Sequence, residues 1–208
     1  LACVSFVDKQ LGVVLDALEK SPYAKNTIVI FTSDHGYHMG EKERLWKHSL
    51  WEESTRIPLI IRVPNMHQAG AECSHPVSLI DVYPTLVDLC GLSNDSHQAG
   101  GVPLDGYSLK PFLENTETHD WAGPDVALSC INGLVDPGHN QPGKIKDQHF
   151  SVRSERYRYT LCSDGQEELY DHQNDPHEWH NLQNNKSYRE IKSLLREQMK
   201  TILGSLPE

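Results

Sequence analysis

The sequence predicts an α/β protein with a smaller antiparallel part, and three observations carry that reading. An amphipathic stretch over residues 2–20 is followed by a short β-branched run, Thr27 to Thr32, and a second apolar run, Leu59 to Val63; helix, short loop and strand is the repeating unit of a doubly wound sheet. Further on, Phe150 to Glu155 and Tyr157 to Cys162 alternate, and Ser163-Asp164-Gly165 is a hairpin signal ahead of Glu167 to Asp171. The last 20 or so residues form a second amphipathic stretch, suited to lie on that small sheet.

In order, Val4, Val7, Leu11, Val14, Leu15 and Leu18 share one helical face, and Ser21-Pro22 ends the helix. Thr27 to Thr32 reads as a strand buried on both faces. It stops at Ser33-Asp34-His35-Gly36, and ligands of open α/β sheets gather at such carboxyl ends. Asp34 and His35 are adjacent, so a sharp turn at Gly36 points a carboxylate and an imidazole at one cation, and Lys47 brings a positive charge to an anion on it. An Asp-His-Gly turn is also a common strand end in its own right. Gly40 permits a tight return, Leu45-Trp46 anchors the segment on the core, and Ser49 to Ser54 makes one or two helical turns.

Downstream, Pro76 to Leu92 gives a strand, Asp81 as the cap of a helix, Pro84 in its first turn and Gly91 as its stop. Pro103 to Leu113 closes the sheet domain. The expected domains are therefore 1–113, the α/β core, and 114–208, a long loop, antiparallel strands and a terminal helix whose apolar face holds Tyr188, Ile191, Leu194, Leu195, Met199 and Ile202. Within the loop, Trp121 either stacks on a sugar ring or anchors the loop.

Nineteen basic residues stand against 29 acidic ones, a formal net charge of −10, which argues against nucleic acid or an anionic membrane as a general partner. Arg153, Arg156 and Arg158 interleave with Tyr157 and Tyr159, but strand alternation accounts for that pattern. No apolar run approaches the ~20 residues of a membrane span, and there is no signal peptide. Five cysteines in 208 residues show neither zinc spacing nor a dense disulfide framework, and compartment is not legible from them. The chain opens on Leu1 and runs straight into a helix, so a preceding segment is expected.

The string SDHGYHMGEK followed by LWKHSLWEESTRIPLIIRVP resembles the C-terminal part of the type I sulfatases of the alkaline phosphatase superfamily, closest to the iduronate-2-sulfatase-like and choline-sulfatase-like branches. The likeness extends to VSFVDKQLGVVLDALEKS, PVSLIDVYPTLVDLCGL, LDGYSLKPFL and HFSVRSERYRYTLCSDGQEELYDHQNDPHEWHNL; only residues from about Asn115 to Lys146 have no counterpart.

The resemblance implies the C-terminal portion of an alkaline-phosphatase-like sheet domain and hydrolysis of a sulfate monoester, on a carbohydrate, outside the cytoplasm. It implies Asp34 and His35 as calcium ligands and Lys47 as the catalytic, sulfate-holding lysine, with His38 and His149 as further substrate-binding candidates; His48 also stands close enough in sequence to face the substrate. It implies too a nucleophile, a cysteine matured to formylglycine within C-x-[PA]-x-R. Here the chain departs from the pattern. Four places after Cys3, Cys73, Cys90, Cys130 and Cys162 stand Val7, Val77, Asn94, Leu134 and Gln166, and the serine form fails at Ser154, where Arg156 occupies the Pro/Ala position. The expected partner is therefore an N-terminal part of the same enzyme carrying the nucleophile and the remaining metal ligands. Two alternatives stand beside this: a related phosphatase or phosphodiesterase with zinc at Asp34 and His35, and a non-catalytic binding piece.

Overall fold

The computed structural model describes residues 1–66, 69–93, 102–132 and 144–207. Part of the expected irregular loop, residues 133–143, lies outside the described residues. The chain divides into two compact units, Leu1–Thr32 with Pro58–Ala71 and Ser33–Ile57 with Glu72–Glu208. The boundary expected at residue 113 falls inside the second unit, because residues 33–57 are hydrogen-bonded to the small sheet rather than to a separate core.

The first unit holds helix α1 (Ala2–Glu19) and strands β1 (Val29–Thr32) and β4 (Leu59–Arg62). Helix α1 ends as its sequence predicts, with Ser21 Oγ donating to the Leu18 carbonyl at 2.7 Å. Its apolar face is only partly covered: Leu11, Leu15 and Leu18 are half-buried, while Val4, Val7 and Val14 are exposed. Strand β1 pairs antiparallel with β4, Val29 opposite Arg62 and Thr32 opposite Leu59. One expectation is corrected here: β1 is half-buried rather than enclosed on both faces, with β4 its one hydrogen-bonded strand among the described residues.

The second unit is built on a four-stranded antiparallel sheet in the order β5 (Ala127–Asn132), β6 (Gln148–Arg153), β7 (Tyr157–Leu161), β8 (Glu167–Asp171). The β7–β8 hairpin turns where its sequence says it must, with Gly165 at φ 81° and the Cys162 amide donating to the Gln166 carbonyl at 2.8 Å. Val126, Phe150, Val152, Tyr159, Leu161 and Leu169 face helix α5 (Arg189–Leu203), which contributes Leu195 and Met199. Leu194, placed on that face by periodicity, is exposed. Asn185 opens the helical segment, its side chain accepting the Ser187 amide at 3.0 Å.

The remaining elements pack by specific polar contacts. No strand forms ahead of Asp81; Leu79–Asp81 is a 3-10 turn leading into α3 (Val82–Leu89). Asp81 stands at the N-cap of α3 as expected, but its side chain caps the preceding turn, in a capping box with Ser78, rather than α3 itself. Its carboxylate accepts the Ser78 amide at 2.7 Å and the Tyr107 amide at 2.9 Å, tying the turn to the segment before α4 (Lys110–Glu114). Gly106 is required by that approach, since a Cβ there would lie 2.1 Å from the Ile80 carbonyl oxygen. Trp121 is a loop anchor: its indole N–H donates to Ser108 O at 2.9 Å, and its ring packs against His75 and Phe112. No helix among the described residues is long and apolar enough to cross a membrane.

Candidate functional site

All the residues expected at the corner except His149 fall in one short stretch of the second unit, between Ser33 and Thr55. Strands β2 (His38–Met39) and β3 (Leu45–Trp46) form a two-residue ladder, and α2 (Glu52–Thr55) follows. Gly36 lies against α2: its amide donates to the Ser54 carbonyl at 2.8 Å, and a Cβ would sit 2.0 Å from the Glu53 carbonyl oxygen. Only glycine fits this contact, which presses the Asp34-His35 turn onto the helix.

The turn fixes the imidazole. His35 Nδ1 lies 2.8 Å from Gly36 O, an acceptor only, so Nδ1 carries the proton and Nε2 presents a lone pair. A backbone carbonyl holding one ring nitrogen is the usual way a metal-binding histidine is oriented. Asp34 Oδ2 is 3.4 Å from that Nε2, and the exposed Lys47 ammonium donates to it at 2.5 Å. Asp34, His35 and Lys47 therefore converge as their order in the sequence suggested. The pair supplies one imidazole and one carboxylate toward a cation, whereas calcium takes six to eight oxygens and zinc usually four ligands. These donors fit a cation site in kind and need further ligands to complete it.

His38 is 1% exposed, with Nε2 2.7 Å from Ser49 Oγ and its ring edge-on to Trp51. His149 is not gathered at this corner; on β6 its Nδ1 accepts the Ser163 amide at 3.0 Å and supports the hairpin. Nor do Leu45 and Trp46 anchor the segment, being 62% and 70% exposed. The anchor is Lys42, which lies over the Trp51 and Tyr170 rings at 4.5 and 4.6 Å and donates to Tyr170 Oη and Glu178 O. Burial pulls its pKa below the usual lysine range. Lys42, Glu43 and Trp46 all have positive φ, so the return of the loop toward Lys47 is strained and held by these contacts.

Behind the loop lies a charged cluster that sequence reasoning missed. Ligand atoms of Glu52, His172 and Glu178 lie within 4.8 Å of one another, a possible metal-binding triad. Arg158, 1% exposed, donates Nε to Glu178 at 2.6 Å and Nη2 to Glu52 at 2.6 Å; Arg153 Nε adds 3.1 Å to Glu52, and His172 Nε2 is 2.9 Å from Glu178. Burial alone would raise the Glu52 carboxyl, but Arg158 and Arg153 outweigh it and hold it down to about 2. Glu178 is lowered as well, His172 and Arg158 overcoming its burial. One signal was available in the sequence: Arg158 stands mid-strand between core residues Tyr157, Tyr159 and Leu161, where a solvated arginine is not expected.

Comparison with known proteins gives a consistent result. A family model described as Sulfatase matches residues 1–92. A protein named Sulfatase from Formosa agariphila is 39% identical over 189 residues, covering 91% of this chain and 32% of its own length. The N-acetylglucosamine-6-O-sulfatase of Bacteroides thetaiotaomicron is 32% identical, covering 100% of this chain and 36% of its own length. Among solved structures, one described as in complex with its substrate D-glucosamine-2-N,6-O-disulfate superposes with a TM-score of 0.78 at 30% identity, over 98% of this chain and 40% of that one. The phosphonate monoester hydrolase of Agrobacterium radiobacter also gives 0.78, at 29% identity, over 97% of this chain and 40% of that one. The chain thus spans about a third of the length of the curated relatives it matches.

Proposed function

The chain belongs to the sulfatase family, and from that premise we propose that it supplies the cation-and-lysine side of a sulfuric ester hydrolase acting on a sulfated carbohydrate. Members of this family are metal-dependent. The observation that carries the reading is the Lys47 ammonium seated on His35 Nε2, beside the Asp34 carboxylate. Asp34 and His35 Nε2 would hold the cation, calcium by resemblance, which when bound neutralises charge on sulfate oxygens. With His35 Nε2 and Asp34 committed to a cation, Lys47 would give up its bond to that nitrogen and its ammonium would pair with an anion bound alongside. Lys47 suits that task as a compact charge on a flexible stem, free to follow a sulfate oxygen as negative charge grows there.

The nucleophile comes from outside these 208 residues, since no C-x-[PA]-x-R string occurs in them. The half-covered apolar face of α1 is consistent with a further segment packing on the first unit. An extracytoplasmic place of action follows from the family resemblance.

The test is Lys47→Ala in the native enzyme, assayed on a sulfated hexosamine. We expect kcat/KM to fall about tenfold to a thousandfold, the effect of one positioned charge on a developing anion. Near-normal turnover would overturn the assignment. A second reading, a phosphate or phosphonate ester hydrolase with zinc at Asp34 and His35, is favoured by the phosphonate monoester hydrolase likeness and by imidazole being a natural zinc ligand. Metal analysis together with paired sulfate and phosphonate esters separates the two.

A further inference from the structure

The turn from Asp175 to His180 exposes His177 and Trp179 but drives the side chain between them inward, leaving Glu178 1% exposed. Its backbone takes φ 58°, a conformation that a non-glycine residue keeps only where its surroundings enforce it. We propose that Glu178 is a positioning residue for the corner: its carboxylate sets the Asp34-His35 turn, and its backbone carbonyl sets the loop that carries Lys47. The proposal rests on the sulfatase reading for the chemistry of the corner, and on two chains of contacts for the positioning.

The first chain runs through α2. This helix is only four residues long, and its N-cap, Trp51, offers no capping side chain. Glu178 does that work from 126 residues away, Oε2 accepting the Glu52 amide at 2.9 Å, one of the donors a helix start leaves unpaired. Arg158 steadies the same helix, donating Nη2 to Thr55 Oγ1 at 2.9 Å while its Nε is held by Glu178 Oε1 at 2.6 Å. The other end of α2 presents the Ser54 carbonyl to the Gly36 amide at 2.8 Å, and the Gly36 carbonyl in turn holds His35 Nδ1. An unbroken line of contacts thus joins the Glu178 carboxylate to the His35 ring.

The second chain runs through Lys42, whose ammonium donates to the Glu178 carbonyl and lies over the Trp51 and Tyr170 rings. Trp51 is fixed in its turn, its indole N–H donating to Glu168 Oε2 at 2.8 Å. From this anchor the backbone bends at Lys42, Glu43 and Trp46, with φ of 53°, 57° and 93°, before it reaches Lys47. A path so constrained has few ways to relax while its start is held, so the anchor decides where Lys47 emerges. The two chains meet where the Lys47 ammonium reaches His35 Nε2 at 2.5 Å.

Three variants of the native enzyme test this. Glu178→Gln keeps the size and the backbone carbonyl but puts an NH2 donor where an oxygen received Glu52 or Arg158, cutting the first chain. Lys42→Met leaves an apolar stem in the aromatic box and cuts the second. Met199→Ala, in the core under α5, belongs to neither chain and serves as the stability control. Amide hydrogen exchange in the ligand-free protein reads the corner directly, at Gly36 for the turn and at Ser49, whose amide donates to the Lys47 carbonyl, for the loop.

We expect Glu178→Gln to speed exchange at Gly36 about tenfold or more and to weaken calcium binding about tenfold to a hundredfold, as loss of an outer-shell partner does. Lys42→Met should speed exchange at Ser49 by a similar factor and lower kcat on a sulfated hexosamine about tenfold to a hundredfold, with calcium affinity unchanged. Met199→Ala should melt earlier and change none of these. Glu178→Gln matching Met199→Ala in Gly36 exchange and calcium affinity overturns the positioning role. So does wild-type Ser49 exchange in Lys42→Met, an arm that decides by itself if Glu178→Gln does not fold. Turnover by the unsubstituted enzyme is scored apart: its absence counts against the sulfatase reading, while the exchange rates still decide whether Glu178 sets the corner.

Discussion

Glu52, His172 and Glu178 bring three metal-type ligand atoms within 4.8 Å, whereas Asp34 and His35 bring only two, 3.4 Å apart. By ligand count the first cluster is the better metal site; by charge it is the worse one. Its two carboxylates already face two guanidiniums, and Glu178 and Arg158 are 1% and 2% exposed at the side chain, so a cation would have to displace buried, doubly bonded arginine. The corner is the reverse case: Asp34 is 82% exposed at its side chain, and a single exposed lysine shares the imidazole. A cluster that satisfies itself holds structure, and one left incomplete is available for chemistry.

Four measurements can break or sharpen that contrast, the largest effect first. Arg158→Ala leaves Glu52 and Glu178 buried without their main partner and should destabilise the second unit by about 3–5 kcal/mol, read by chemical denaturation. Loss below ~1 kcal/mol, within the range of an exposed ion pair, would mean that the cluster is not the structural one.

Acid should act through the same residues. Glu52 has its carboxyl lowered from 4.5 to about 2, so its contribution is present above the unfolded value and is lost as pH falls from about 4.5 toward 2. We expect the unfolding free energy to decline across that window by about a few kcal/mol, and the decline to shrink in Glu52→Gln. An unchanged acid limb in that variant would contradict the assignment.

Gly36→Ala comes third. Its methyl would meet the Glu53 carbonyl at 2.0 Å, and relieving that overlap should cost about 1–3 kcal/mol while moving the Asp34-His35 turn off α2. Thermal melting paired with cation titration reads both effects, and a wild-type melting curve would show that the contact yields cheaply.

The smallest effect on stability belongs to Lys47→Ala, expected within ~0.5 kcal/mol of wild type because the side chain is exposed. A larger loss in the same denaturation assay would move Lys47 from the chemical cluster to the structural one.

Much of the fold was legible because it is local. The period of residues 2–20, the Ser163-Asp164-Gly165 turn and the alternation that makes β6, β7 and β8 are each settled within a few residues by side-chain direction and backbone sterics. Asp34 next to His35 was legible for the same reason, adjacency and a glycine. The misreadings share the opposite cause. Leu45 and Trp46 looked like anchors because they are apolar, yet Lys42 does the anchoring, since the aromatic box that receives its ammonium includes Tyr170, 128 residues away.

The sequence by itself determined the type and order of most elements and the identity of the corner residues. Tertiary structure alone decided which charges are spent and which are free. Arg158 meets Glu52 across 106 residues, and the Glu52 backbone amide donates to the Glu178 carboxylate across 126, contacts that depend on which loops close, and loop closure leaves no periodicity to read. Only once those pairs are made do Asp34, His35 and Lys47 remain as the exposed polar group of the corner, because a buried charge must find its partner whereas an exposed one is stabilised by water until a ligand arrives.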